Sequence, residues 1–128
     1  MITEKRARHN KINYIEFAAC DLEKTKNFFN RVFGWEFTDY GPEYTAYEGR
    51  GFDCGFFKSD LSSSAENGGA LPVFFSENLE ETERKIKNAG GSIVKEIFSF
   101  PGGRRFQFTE PSGYELGVWS DVEKPPSS

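Results

Sequence analysis

Histidine is almost missing from this chain. The only one among 128 residues, His9, sits in a polar amino-terminal arm. A metal site normally needs several ligands converging on a frame, and nothing near His9 offers them. With no histidine in the remainder, a Ser-His or Cys-His nucleophile is not expected. Cysteine is scarce too: Cys20 and Cys54 are a weak disulfide framework, and neither has an adjacent base. No long apolar run is present, which argues against a membrane span. No apolar segment follows Met1, so no secretory signal is visible. The cytoplasm is then the expected compartment, with both cysteines as thiols. The glycine pairs lack phosphate-loop spacing and read as turns. A net charge of −4 and a pI near 5.1 argue against a general nucleic-acid partner.

Phenylalanine, by contrast, is abundant, with 14 residues. An aromatic core accounts for this, with or without an aromatic pocket. The length suits one domain, spanning 1–128. The stretch Ile12 to Phe37 reads as strand, capped helix, glycine stop and strand, and a weaker copy begins 57 residues later at Pro72. Pairing Asp21 with Asn78 aligns Leu22 with Leu79, Glu23 with Glu80, Thr25 with Thr82 and Gly34 with Gly91. Such a repeat implies two copies of one supersecondary unit. The expected organisation is a first module over about 12–58, a polar linker over 59–69, a second module over about 70–120, and flexible ends at 1–10 and 122–128.

Helices are expected at about Leu22–Phe33 and Leu79–Ala89, with Asp21 and Asn78 as N-caps and glycine stops after each. Strands are expected at about Ile12–Ala19, from Trp35, and over Tyr44–Glu48, Phe52–Phe57, Leu71–Ser76, Ser92–Ile97, Arg104–Thr109 and Tyr114–Trp119. Each unit is then βαβββ. The fold class is α+β, two tandem modules forming a curved mixed sheet with a cleft. Side chains alternate along a strand. Ile15, Phe17, Cys54, Phe56, Leu116 and Val118 therefore suit the helix side, and Tyr14, Glu16, Gly55, Phe57, Glu115, Gly117 and Trp119 the cleft side.

The run Asp-Leu-Glu-x-Thr-x-x-Phe-Phe, then Phe-Gly-Trp-Glu-Phe, then Glu-Pro-Ser-Gly-Tyr-Glu-Leu resembles the vicinal oxygen chelate superfamily. That group includes glyoxalase I, bleomycin-resistance proteins, fosfomycin-resistance enzymes and extradiol dioxygenases. The likeness covers roughly Lys11 to Ser120 and is nearest to small glyoxalase-related bacterial proteins. It implies one divalent ion held by His or Glu from the first and last strand of each module. At those positions this chain carries Tyr14, Gly55, Leu71 and Gly117. Leucine and glycine side chains offer no donor, so no metal and no cofactor are expected. A shifted set, Glu16, Asp53 and Glu115, keeps the same sheet face as the lost positions; solvated or hydrogen-bonded carboxylates are its plainer reading.

The function that follows from the resemblance is binding of a small aromatic or apolar molecule in the cleft, as in bleomycin-resistance-like members, by a homodimer. The expected ligand-binding residues are Tyr14, Glu16, Phe57, Glu115 and Trp119 by parity. Trp35, Tyr47 and Gln107 are neighbours of undetermined direction. The alternative is a lyase, isomerase or dioxygenase using the shifted carboxylates or Glu16 or Glu115 as general base; a dimer serving a regulatory partner is a third class. Arg104-Arg105 reads equally as an anion clamp or a solvated hairpin end. The missing donors give a direct expectation: elemental analysis of the purified, dialysed protein finds no stoichiometric metal. One Ni, Zn or Fe per chain would overturn it. Glyoxalase I turnover is likewise expected to stay at the buffer level when Ni or Zn is supplied, since that chemistry depends on the ion.

Overall fold

The computed structural model describes residues 8–49 and 51–122. Their elements run β1 (Tyr14–Ala19), α1 (Leu22–Phe33), β2 (Phe37–Asp39), β3 (Tyr44–Glu48), β4 (Asp53–Lys58), β5 (Val73–Phe75), α2 (Leu79–Asn88), β6 (Ser92–Phe100), β7 (Gly103–Thr109) and β8 (Glu115–Ser120). This is the βαβββ unit twice over. The expectation of flexible ends falls largely on 1–7 and 123–128, outside the described residues.

The repeat is visible in the helix caps. Asp21 and Asn78 both hold an extended backbone at φ −140°, and each side chain accepts a hydrogen bond from the amide three residues on, Lys24 and Glu81. That is how a short polar side chain satisfies an otherwise unpaired amide in the first turn. Gly34 ends α1 at φ 74°, a left-handed position that suits glycine.

Each module folds into a mixed four-stranded sheet, in the orders β1-β4-β3-β2 and β5-β8-β7-β6. The first strand of each runs parallel to the last, with Tyr14 opposite Asp53 in one sheet and Val73 opposite Gly117 in the other. The helix makes the long crossover that a parallel pair requires, and antiparallel meanders complete both sheets. β5 is shorter than its apolar run suggests and β6 is longer. β6 also breaks register twice against β7, between Ile93 and Lys95 and between Lys95 and Phe98.

The two modules share one core on their helix sides. Phe28 and Phe29 of α1 are buried among residues of both sheets. Phe28 lies 5.9 Å from Phe108 of β7; Phe29 lies 5.4 Å from Phe56 of β4 and 6.4 Å from Phe74 of β5 (ring centroids). Phe33 stacks on Phe74 at 4.0 Å, and Phe17 meets Tyr114 edge-on at 4.8 Å.

A polar latch ties the turn between β7 and β8 to the start of α1. Glu110, 3% exposed, accepts from the Thr25 hydroxyl at 2.8 Å and from the Tyr114 amide at 3.1 Å. The Ser112 hydroxyl lies 2.9 Å from that of Thr25 and accepts from the Asp21 amide at 3.3 Å. Burial pushes the Glu110 carboxyl above its ordinary pKa, against the opposing pull of these hydrogen bonds. A folded-state pKa above the unfolded one stabilises the fold below the unfolded pKa and loses that contribution as pH rises through the folded value. Glu110→Gln keeps the shape and removes the charge. Denaturant melts are expected to show wild type losing stability relative to this variant as pH rises above the ordinary glutamate range. Parallel pH profiles would contradict it. Glu110→Ala strands the buried partners and is expected to cost about 1–3 kcal/mol.

Candidate functional site

Because the shared core uses the helix side of each sheet, the opposite, outer faces are left for function. Strand register assigns the faces. On the first sheet, Tyr14 pairs with Asp53, Glu16 with Gly55, and Phe57 with Tyr44. Tyr14 and Glu16 are exposed and Phe57 is half-buried on the outer face. On the second sheet Gln107 pairs with Gly117, Trp119 with Arg105, and Glu115 with Thr109, again on the outer face. Trp35 and Tyr47 lie on the other side. Tyr47 pairs with Cys54 and Phe37, and its ring stacks on Trp35 at 4.1 Å with an interplanar angle of 1°. Of the residues picked out by sequence, the structure thus groups Tyr14, Glu16 and Phe57 on one sheet and Gln107, Glu115 and Trp119 on the other. Among the described residues no hydrogen bond, ion pair or ring contact joins these two groups.

The positions that resemble the family's metal ligands do not fit a divalent ion. Leu71 and Gly117 carry no donor, and a Cβ built on Gly55 would collide with the hydroxyls of Tyr14 and Tyr44, which fill that space. Nor do the shifted carboxylates converge. Asp53 accepts from the Gly49 amide at 3.0 Å, which fixes the turn before β4. Glu115, 4% exposed, accepts from the Ala65 amide at 2.8 Å and from the Gln107 side chain at 2.6 Å. Glu16 stands on the other sheet. Among the described residues no three His, Cys, Asp or Glu side chains are grouped as for a metal ion.

The two glycines that looked equivalent in sequence are not equivalent in space. The hole at Gly55 is filled by two phenols, whereas a Cβ on Gly117 would meet only ordinary contacts, at 3.4 to 3.6 Å from Phe106, Val73 and Leu71. On the outer face Gly117 is buried, bordered by the side chains of Leu71 and Val73. Beside it one row of side chains crosses all four strands: Phe75 opposite Trp119, Trp119 opposite Arg105, Arg105 opposite Phe98. Phe75 meets Trp119 edge-on at 5.1 Å, and Phe100 lies 6.2 Å from Trp119. Phe75 and Phe98 are 49% and 39% exposed. The segment read as a linker also takes part. Ser63 accepts from the Glu115 amide at 2.9 Å, and the Ala65 amide holds the Glu115 carboxylate, so 59–69 is docked on the end of β8.

A second concavity lies on the helix side, between β1 and β4 of one module and β5 and β8 of the other. It is a cavity of about 390 Å³ whose walls include Ile15, Phe17, Trp35, Phe74 and Leu116. Cys54 is part of this lining, and burial, followed by the charge of Asp53, pushes its thiol up to about 12. It is a neutral group there, so this cavity has no charged lining side chain.

Sequence reasoning passed over Phe75, Phe98 and Phe100. Alternation from Trp119 and Val73 was the available signal for Phe75. None existed for Phe98, because the register shifts in β6 interrupt the two-residue period on which such reading depends.

Solved structures match this architecture. A glyoxalase-related enzyme from Fulvimarina pelagi has a TM-score of 0.73 at 17% identity, covering 87% of this chain and 88% of that one. A glyoxalase/bleomycin resistance protein/dioxygenase family enzyme from Burkholderia phytofirmans has a TM-score of 0.73 at 13% identity, covering 86% and 98%. A mutant of a fosfomycin resistance protein from Listeria monocytogenes, complexed with Mn(II) and dihydroxypropylphosphonic acid, has a TM-score of 0.71 at 18% identity, covering 88% and 90%. At such identities the likeness speaks for the fold alone. No curated protein sequence matches the chain. The sequence model of one family does, over residues 11–118, and with the doubled βαβββ architecture it makes this chain a member of the Glyoxalase/Bleomycin resistance protein/Dioxygenase superfamily.

Proposed function

We propose that this protein binds a small aromatic molecule on the outer face of its second sheet, without the divalent ion used by metal enzymes of its superfamily. The observation that carries this reading is the partly exposed Phe75–Trp119 pair on that face, beside the fixed polar groups of Gln107 and Glu115. Binding sites combine apolar walls with a few convergent polar groups, and this face has both. The helix-side cavity has apolar walls only, so it is the weaker site for a specific ligand. Glu115 reads as a positioned acceptor rather than a general base, since each of its oxygens already takes a hydrogen bond.

A homodimer belongs to this reading. The edge strands β1 and β5 leave Tyr14, Val73 and Phe75 at 43%, 42% and 49% exposure in a single chain, and Ile12 just before β1 is 78% exposed. Edge strands with exposed apolar side chains favour pairing with another chain. A second copy laid along these edges brings the Tyr14, Glu16 and Phe57 face of one chain against the Trp119 face of the other. Sedimentation at micromolar concentration is expected to give twice the chain mass; a monomer at all concentrations would remove this part of the reading.

The two tryptophans separate the two sites, because Trp119 lies on the outer face of the second sheet and Trp35 lines the helix-side cavity. Planar aromatic compounds screened by fluorescence are expected to change the emission of wild type. Trp119→Phe, which leaves only Trp35 as reporter, is expected to lose that change. Gly117→Leu, whose side chain displaces Leu71 and Val73 and crowds the face beside Trp119, is expected to weaken binding at least ten-fold. Hits that bind Gly117→Leu as tightly as wild type would move the ligand away from this face.

A further inference from the structure

We infer that the ligand of this face carries a carboxylate or an equivalent planar anion, and that Arg105 is the residue that reads it. The inference rests on the reading of the second sheet's outer face as the ligand site, and adds the charge class of what binds there.

The two adjacent arginines have opposite fates. Alternation sends Arg104 to the helix side, where it is 7% exposed and forks onto Glu80 of α2 with bonds of 2.6 and 3.1 Å. That charge is already matched. Arg105 points to the outer face, where no carboxylate among the described residues pairs with it. Its Nη2 donates to the Gln107 side-chain oxygen at 3.2 Å. Its Nε is buried and has no acceptor among the described residues. A buried donor without an acceptor is costly, and a guanidinium with neither carboxylate nor full hydration is a poorly satisfied cation.

The surroundings fix where its partner comes from. Phe98 lies 5.7 Å from the guanidinium carbon on one side, and Trp119 is its cross-strand partner on the other. Within the protein the nearby carboxylate is spoken for. Gln107 donates to Glu115 and accepts from Arg105, so Glu115 acts on the arginine only through the amide between them. Gln107 thereby fixes the direction of the guanidinium. A planar anion satisfies a guanidinium with paired hydrogen bonds, which a neutral ligand does not reproduce. Lys95, opposite Gln107 in the register and exposed, adds a second positive charge to this face. An aromatic acid fits both halves of the surface: its ring against Phe75 and Trp119, its carboxylate at Arg105.

Calorimetric titration with naphthalene-2-carboxylate and its neutral carboxamide tests this at physiological salt. Wild type is expected to bind the carboxylate at least ten-fold more tightly than the carboxamide. Arg105→Met is expected to bring the carboxylate down to the affinity of the carboxamide and leave the carboxamide unchanged. Arg105→Lys keeps the charge without the planar fork and is expected to fall between them; it also serves if the methionine variant does not fold. Lys95→Met is expected to change carboxylate affinity by no more than a few-fold. Equal affinity for the two probes in wild type, or a carboxylate preference that survives Arg105→Met, overturns the inference while leaving aromatic binding on this face intact. Failure of both probes to bind wild type at millimolar concentration overturns the inference together with the reading beneath it.

Discussion

The Phe28-Phe29 pair of α1 is the contact on which the arrangement depends. Both rings are buried, one against β7 of the second module, the other between β4 of the first and β5 of the second. Residues of both modules bury these rings, and the modules meet helix side to helix side around them. Burial of large aromatic side chains is the dominant favourable contribution such a contact makes. Once that side is spent on the core, the outer faces are what remains for ligands and partner chains.

The core also explains the polar latch. Glu110 is nearly sealed, which is costly for a carboxyl group, yet it is placed where the Thr25 hydroxyl and Tyr114 amide need an acceptor. Together they fix the β7–β8 turn on the first turn of α1, and so set how β8 lies relative to the first module. β8 in turn carries Glu115, Gly117 and Trp119 to the outer face. The docked segment 59–69 restrains the start of the same strand at Glu115 through Ala65 and Ser63. A strand held firmly at its start presents its side chains in fixed positions, which lowers the entropy lost when a ligand settles on them.

Membership of the superfamily and chemistry separate at this point. The scaffold is shared, but the four positions that resemble its ligand set hold a phenol, two glycines and a leucine. The two sheets differ at these positions. In the first, the Tyr14 and Tyr44 hydroxyls fill the space at Gly55; in the second, Gly117 is bordered at ordinary contact distance by Leu71 and Val73. The result is an asymmetric pair of faces, one filled by phenols and one carrying aromatic rings and an arginine.

Much of the fold was legible in the residues themselves. The helix α1 follows from the cap at Asp21, the apolar stripe through Phe28, Phe29 and Val32, and the glycine after Phe33, all local features whose physics acts within a few residues. The repeat between Asp21 and Asn78 determined the doubled module, and parity determined which side Glu115, Gly117 and Trp119 take, because a strand leaves its side chains only two directions. Three things waited for the tertiary structure. Tyr47 and Trp35 turn to the helix side because β2 and β3 pair in a register no local pattern fixes. Phe98 joins Arg105 only through the register shifts of β6. And Arg104 and Arg105, sent to opposite faces by alternation, differ in charge pairing because Glu80 meets the first while no carboxylate among the described residues meets the second. Whether a charge is matched is a property of what lies across space from it, and the order of residues along the chain does not contain that distance.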